Sequence, residues 1–374
     1  MAYVTIPFVD LSFQHEPLQA SIEQLWRDCI AQGQFILGPH LAAFEQAFAE
    51  ASGVAYGIGL ASGTDALALG MRAAGIQAGD EVLVPANTFI ATLIGILRTG
   101  ATPVLVDCDP DTALIDLNAA VKKITPQTKA IAPVHLYGQL VAPQALKDFA
   151  QSHNLLIIED AAQSHLAHRD GVTAGSIGTL AAYSFYPSKN LGAMGDGGMV
   201  LTNDAEIASK LRAYRNYGAR EKYIHQEWGT NSRLDNLQAA VLCLKLPHLR
   251  AWNIARNQRA QEYTAALTPL PGICPLANHS GLGHSYHLYV IRVQPPLHRE
   301  QLQAALTEAG IQTGIHYPIP CHLQPAYQFL GYQPGDFPVA EQLAAEILSL
   351  PMYPGLTSAQ VEAVVAAIRD RLPQ

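Results

Sequence analysis

Between about residue 40 and residue 205 the chain alternates short apolar runs with stretches of helical period. "YGIGLA" leads into "TDALALGMRAAG", and "EVLVP" leads into "TFIATLIGILRTG". "TPVLVD" and "TKAIAPVHL" come next, then the helical "PQALKDFAQSHN" and the run "LLIIED". Strands that alternate with helices over such a length predict parallel strands joined by crossover helices. "AAYSFYP" and "GMVLT" add two more strands, and "DAEIASKLRAYRNYG" and "LDNLQAAVLCLKL" two more helices.

After Pro247 the pattern changes. A long helix, "HLRAWNIARNQRAQEYTAAL", opens onto a stretch broken by Pro and Gly. "SYHLYVIRV" then reads as a strand that includes His287, "REQLQAALTEAG" as a helix, and "PVAEQLAAEILSL" and "TSAQVEAVVAAIRDRL" as closing helices. The expected organisation is a large α/β domain over 1–247 and a smaller α/β domain over 248–374. The N-terminal segment counts with the first and can pack on the second.

Composition narrows the function. The 374 residues are 49% hydrophobic and only 14% charged, which suits a sheet covered on both faces or a large subunit interface. A formal net charge of −8 argues against nucleic acid as partner, because phosphate backbones need clustered Lys and Arg. An anionic substrate would have to be held by local cations. Cys29, Cys108, Cys243, Cys274 and Cys321 include no CxxC pair, so neither a disulfide framework nor a thiolate metal site is expected. With no leader-like start and no apolar run of membrane-spanning length, a cytoplasmic protein is the expectation.

Ligands of open α/β sheets gather at the carboxyl ends of the strands. "LLIIED" places Glu159 and Asp160 there, on opposite sides of one strand. Either carboxylate can cap the next helix, or Asp160 can face a cation in the crevice. In "LASGTDALAL", Ser62, Gly63 and Thr64 open a helix, which makes either a plain N-cap or a phosphate cradle. Gly57, Gly59 and Gly63 miss the dinucleotide fingerprint by one place, and no acidic residue follows a second strand at the required distance. In "SFYPSKNLGAMGDGG", Lys189 precedes a loop with four glycines in seven residues. Alone it would be a solvated loop lysine. A cradle, a strand-end carboxylate and a lysine in a tight turn together meet the needs of pyridoxal phosphate: N–H donors for the phosphate, an anion for the pyridine nitrogen, an amine for the aldehyde.

The segments "FILGPHLAAFEQAFAEASGV", "ASGTDALAL", "PANTFIAT", "IIEDAAQSH", "YSFYPSKNLGAMGDGGMV", "GTNSRLDNLQAAVL" and "HYPIPCHLQPAY" occur in an order that resembles the DegT-type nucleotide-sugar aminotransferases. The resemblance covers nearly the whole chain. It implies a fold-type I pyridoxal-phosphate enzyme, with a large domain of mostly parallel sheet flanked by helices and a smaller C-terminal α/β domain. Lys189 resembles the lysine that binds the aldehyde; members with histidine there are dehydratases. Asp160 resembles the partner of the pyridine nitrogen, Gln163 the neighbour of the ring hydroxyl and Phe89 the aromatic stacked on the ring. Gly63, Thr64 and Ser184 resemble the phosphate ligands. Asn231 resembles a phosphate ligand that comes from the neighbouring subunit, which implies a homodimer with composite sites.

The resemblance further implies L-glutamate as amino donor, 2-oxoglutarate as its product, and pyridoxamine phosphate as the alternate cofactor form in ping-pong turnover. "GIHYPIPCHLQPAY" is most similar to members that aminate C3 of a 3-keto-6-deoxy sugar on dTDP. Amination at C4 of a dTDP-, GDP- or UDP-linked 4-keto-sugar is the alternative, and a regulatory pyridoxal-phosphate-binding protein a further one. Tyr317 and His322 are candidates for sugar or diphosphate contacts, against packing at a strand end and a surface position. Arg233 is a candidate cation for the pyrophosphate or the donor carboxylate, against a structural ion pair. His165, His168, His279, His284 and His287 have no carboxylate or cysteine at ligand spacing, so no metal site is expected.

Overall fold

The structure is a computed structural model that describes residues 5–221 and 223–372. Its main sheet has seven strands: β1 (Tyr56–Leu60), β2 (Glu81–Pro85), β3 (Thr102–Val106), β4 (Thr128–Ile131), β5 (Leu156–Asp160), β6 (Leu180–Ser184) and β7 (Gly198–Thr202). Their order is β1-β7-β6-β5-β4-β2-β3. The pairs from β6 through β3 are parallel, while β7 runs antiparallel to both its neighbours. Strands this deeply covered must be apolar on both sides, and "MVLT" and "LIIED" are buried at nearly every position.

Each face of the sheet has its own covering layer. On one, the helix Gly63–Ala73 lies against β6 and β7 and crosses the helix Ile90–Leu97. That crossing is close enough to need glycine: a Cβ at Gly95 would stand 2.6 Å from Leu67 Cβ. On the other, the helices Pro39–Ala51 and Asn236–Lys245 pack together. Here Phe48 meets Tyr183 edge-on at 5.0 Å and Phe185 at 5.6 Å, with all three rings fully buried. Each such burial contributes about 1.5–3 kcal/mol.

A second, antiparallel sheet forms from β8 (Ile273–Pro275), β9 (Tyr289–Val293) and β10 (Ile347–Leu350). The helices Leu249–Leu267, Arg299–Glu308 and Ser358–Arg369 close over it around Tyr263, Leu267, Ile291, Leu348 and Val364. Ile6 joins this core and bridges in parallel to Ile311.

Two expected elements differ. The run read as one helix through "PVAEQLAAEILSL" stops at Glu346, and its last four residues are β10. "ILSL" is buried at every position and pairs with β9, so strand burial outweighs helical period there. His287 precedes β9 instead of belonging to it.

Candidate active site

A cavity of about 330 Å³ opens beyond the carboxyl end of β5, within the roughly 300–1,000 Å³ of small-molecule sites. Gly63, Thr64, Phe89, Asp160, Gln163, Ser184, Lys189 and Tyr317 all line it. Residues from five separate stretches of the sequence thus converge on one crevice, at the edge where parallel strands end.

The turn that carries Lys189 is pinned from several sides. Its backbone N–H donates to the Tyr186 carbonyl at 2.8 Å, and Ala193 N–H donates to the Phe185 carbonyl at 2.8 Å. The buried Asn190 amide donates to the Ser285 carbonyl and to Asn253 Oδ1, each at 2.8 Å. Among the described residues the Lys189 amine has no hydrogen-bond partner of its own. Burial lowers its pKa from 10.5 to about 8, with Asp160 opposing the shift. The neighbouring imidazoles are held neutral. Burial first, then the Lys189 charge, lowers His165 to about 3 and puts His287 well below its ordinary value. His165 sits 2.9 Å from the Ser184 carbonyl, which can only accept, so its proton is on Nε2.

The two carboxylates at the end of β5 have separate tasks, and neither caps a helix. Asp160 faces the cavity. Its Oδ2 accepts from the Thr92 hydroxyl at 2.7 Å and its Oδ1 from Ala162 N–H at 3.2 Å. Burial raises its pKa, partly offset by those bonds and by Lys189. Glu159 points the other way and is fully buried. It accepts N–H bonds from Gly175, Ile177 and Gly178 at 2.8–2.9 Å, and from His135 Nε2 at 2.9 Å. Val141 N–H donates to His135 Nδ1, which leaves the proton on Nε2 for Glu159. Glu159→Gln turns one acceptor into a donor facing these N–H groups. It is expected to cost about 3 kcal/mol of stability, measured as a lower urea midpoint.

Also at the cavity wall, Ser62 caps the helix Gly63–Ala73 and accepts from Asp65 N–H at 3.1 Å. The first-turn N–H groups of Gly63 and Thr64 have no partner within the helix and gather positive potential at the cavity wall. Gly63 is required by closeness, since a Cβ there would lie 2.7 Å from Ser184 Cβ. The Ser62 cap therefore leaves the N–H groups of Gly63 and Thr64 available at the cavity wall. Phe89 is about half exposed at the rim, its ring 5.1 Å from that of Tyr317. Gln163 Nε2 donates to Tyr317 Oη at 3.2 Å.

Three candidates fall outside this cavity. His322 is not a surface residue and does not reach a ligand there: it is buried, stacks edgewise on Phe337 and bonds Glu341 at 3.0 Å through Nε2. Arg233 donates to Asn216 Oδ1 at 2.8 Å and lies over the Tyr217 ring, in place of the ion pair considered for it. Asn231 is exposed and bridges Asn216. Conversely, Thr92, Tyr137 and His316 belong to the site or its support without having been singled out, and His287, considered only as a strand residue and a metal ligand, lines the cavity. Thr92 follows Thr88 by one helical turn in "NTFIAT", and that spacing was the available signal. Among the described residues no cluster of His, Cys, Asp or Glu is arranged to hold a metal ion, and no helix is long and apolar enough to cross a membrane.

The residues present fit pyridoxal phosphate. A cavity-facing amine has no hydrogen-bond partner among the described residues, a buried carboxylate shares its cavity, and a helix start closed to any side chain at Gly63 offers donors to an anion. Comparison with known proteins agrees. The model described as the DegT/DnrJ/EryC1/StrS aminotransferase family matches residues 17–369. The chain is 44% identical over 365 residues to a dTDP-3-amino-3,4,6-trideoxy-alpha-D-glucose transaminase of Streptomyces venezuelae, covering 98% of this chain and 96% of that one. It is also 44% identical over 367 residues to a UDP-N-acetyl-3-dehydro-alpha-D-glucosamine 3-aminotransferase of Acidithiobacillus ferrooxidans, covering 98% of each. The crystal structure of S. venezuelae DesV in complex with a ketimine intermediate superposes with a TM-score of 0.95 at 44% identity, covering 98% of each chain.

Proposed function

The chain belongs to the DegT/DnrJ/EryC1/StrS aminotransferase family, and from that premise we propose that it transfers an amino group from L-glutamate to C3 of a dTDP-linked 3-keto-6-deoxyhexose. The observation that carries this reading is the Lys189 amine, poised near neutrality in the cavity that Asp160 and the start of the helix Gly63–Ala73 also wall. Relatives of equal identity act on dTDP- and UDP-linked sugars by name, and both names specify position 3, which favours C3 over C4.

When bound, pyridoxal phosphate supplies an electron sink that lets an amino group leave one carbon and join another. Lys189 Nζ would hold it at rest and, once released, move the proton at the substrate carbon. Asp160 would keep the pyridine nitrogen protonated. Gly63, Thr64 and Ser184 would bind the phosphate, Phe89 would cover the ring, and Gln163 would donate to the ring hydroxyl. Tyr317 remains a sugar-side contact, supported by its place on the cavity wall beside Phe89 and Gln163.

Asn231 and Arg233 would serve the partner subunit's cavity. The exposed Asn231, Arg233 over the half-exposed Tyr217 ring, and the exposed apolar side chains Ile224 and Trp228 support a homodimer with composite sites. In this reading the chain divides near Pro247, with the cofactor on 1–247 and the separate core around Leu267 and Ile291 in 248–374. All five cysteines are free, which supports a reducing, cytoplasmic setting.

The decisive experiment loads the purified protein with pyridoxal phosphate and follows its visible absorbance. L-glutamate is expected to bleach the band with release of 2-oxoglutarate, and the dTDP-3-keto sugar to restore it with an aminated product. A band that glutamate leaves untouched would reject the donor. Restoration by a UDP-linked or 4-keto sugar, but not by the dTDP-3-keto sugar, would replace the acceptor.

A further inference from the structure

Tyr137 sits behind the cavity with its backbone in the left-handed region, φ 61° and ψ 0°. A bulky residue adopts that conformation only where its surroundings impose it. Two bonds impose it here. The backbone N–H donates to Gln163 Oε1 at 2.6 Å, and the phenol donates to the His316 carbonyl at 2.5 Å. Gln163 completes a circuit by donating from Nε2 to Tyr317 Oη at 3.2 Å, and Tyr317 follows His316 in the chain. The circuit ties the loop after β4 to Gln163 and to the segment that carries two cavity-lining side chains.

The two ends of an amide side chain are alike in shape, so what faces one end decides what the other presents. A backbone N–H can only donate. It therefore holds Oε1, and the donor end of Gln163 is turned toward Tyr317 and the cavity. A flipped amide would set donor against donor at 2.6 Å.

We propose that Tyr137 is a positioning residue for the reaction: its left-handed turn fixes Gln163 as a hydrogen-bond donor into the cavity, and its phenol holds the His316–Tyr317 wall in register with that amide. The inference rests on the functional reading above, in which Gln163 donates to the ring hydroxyl of the cofactor. A donor at that oxygen favours its ionised form. Loosening the circuit weakens the donation.

The test is the pH titration of the visible band that pyridoxal phosphate forms with Lys189, in wild type, Tyr137→Phe, Gln163→Leu and the double variant. Tyr137→Asn runs alongside, because asparagine tolerates the left-handed region while it removes the phenol. Tyr137→Phe is expected to bind cofactor and to move the titration midpoint upward by at least about half a pH unit. Gln163→Leu is expected to move it further, and adding Tyr137→Phe to Gln163→Leu to move it no more, since both act through one amide. An equal shift in both backgrounds, or none in the single variant, would overturn the proposal. A wild-type protein that forms no band would overturn both this inference and the functional reading, and the wild-type spectrum alone tells that case apart.

Discussion

Lys189→Ala is expected to lower turnover by about 10,000-fold, the upper end of what a positioned acid–base group supplies, and to abolish the visible band of the bound cofactor. Both losses come from one atom, because in the proposed function Lys189 Nζ is the bond to the cofactor and the carrier of the proton. The fold should not suffer. The amine has no hydrogen bond to lose among the described residues, and its lowered pKa shows that the folded site disfavours its charge. The variant should therefore melt no lower than wild type at pH 7. Unchanged activity would remove the lysine from the chemistry altogether.

The pH dependence has the same cause. With a pKa of about 8 instead of 10.5, the free-base fraction of this amine near pH 7.5 is greater by roughly two orders of magnitude. A lowered lysine pKa means the reactive form grows as pH rises through the folded value. Uptake of pyridoxal phosphate by the cofactor-free protein, followed in a stopped-flow mixer, should accelerate up to about pH 8 and level off above it.

Much of this candidate site was legible because its residues sit at positions whose local grammar is unusual. Lysine ahead of a glycine-rich loop, two carboxylates ending an apolar strand, and Ser-Gly-Thr opening a helix each break an ordinary pattern, and the fold brings all three to one strand edge. Parallel strands were legible for a related reason: β2 and β5 are apolar runs followed or preceded by helical period. What stayed hidden depends on pairings between distant residues. Thr92 looks like an ordinary helical threonine until its hydroxyl meets Asp160, 68 positions away. Tyr137 carries no mark of its left-handed turn, which bonds to Gln163 and His316 impose. "ILSL" follows a helix without a break in polarity, and only its pairing with β9 makes it a strand. His322 shares a motif with Tyr317, yet the chain between them turns it onto Glu341. Neighbours in sequence need not share a site.

Asp160→Asn separates charge from shape at the other end of the proposed cofactor. The expected loss in kcat is about 100- to 1,000-fold, the usual cost of removing one preorganised electrostatic group, because a neutral amide cannot hold a proton on the pyridine nitrogen. The hydrogen bonds can adjust. Thr92 Oγ1 lies 2.7 Å from Oδ2 and 3.2 Å from the Phe89 carbonyl, so its hydrogen can turn to that carbonyl while it accepts from the new Nδ2. Oδ1 keeps the Ala162 N–H. Stability should move in the opposite direction from activity. Burial raises the Asp160 pKa above its ordinary 3.8, so the unfolded chain gives up this proton more readily than the folded one. The ionised carboxylate therefore costs the cofactor-free fold stability as pH rises above 3.8, and the cost persists at neutral pH. Removing the charge is expected to raise the melting temperature of the cofactor-free variant at pH 7 and to narrow its difference from wild type near pH 4. In the cofactor-loaded protein the same carboxylate gains a cationic partner, so the advantage of the variant should shrink or reverse. A variant that is less stable without cofactor at pH 7 would show Asp160 to be a structural anchor like Glu159, and one that keeps full activity would remove it from the reaction.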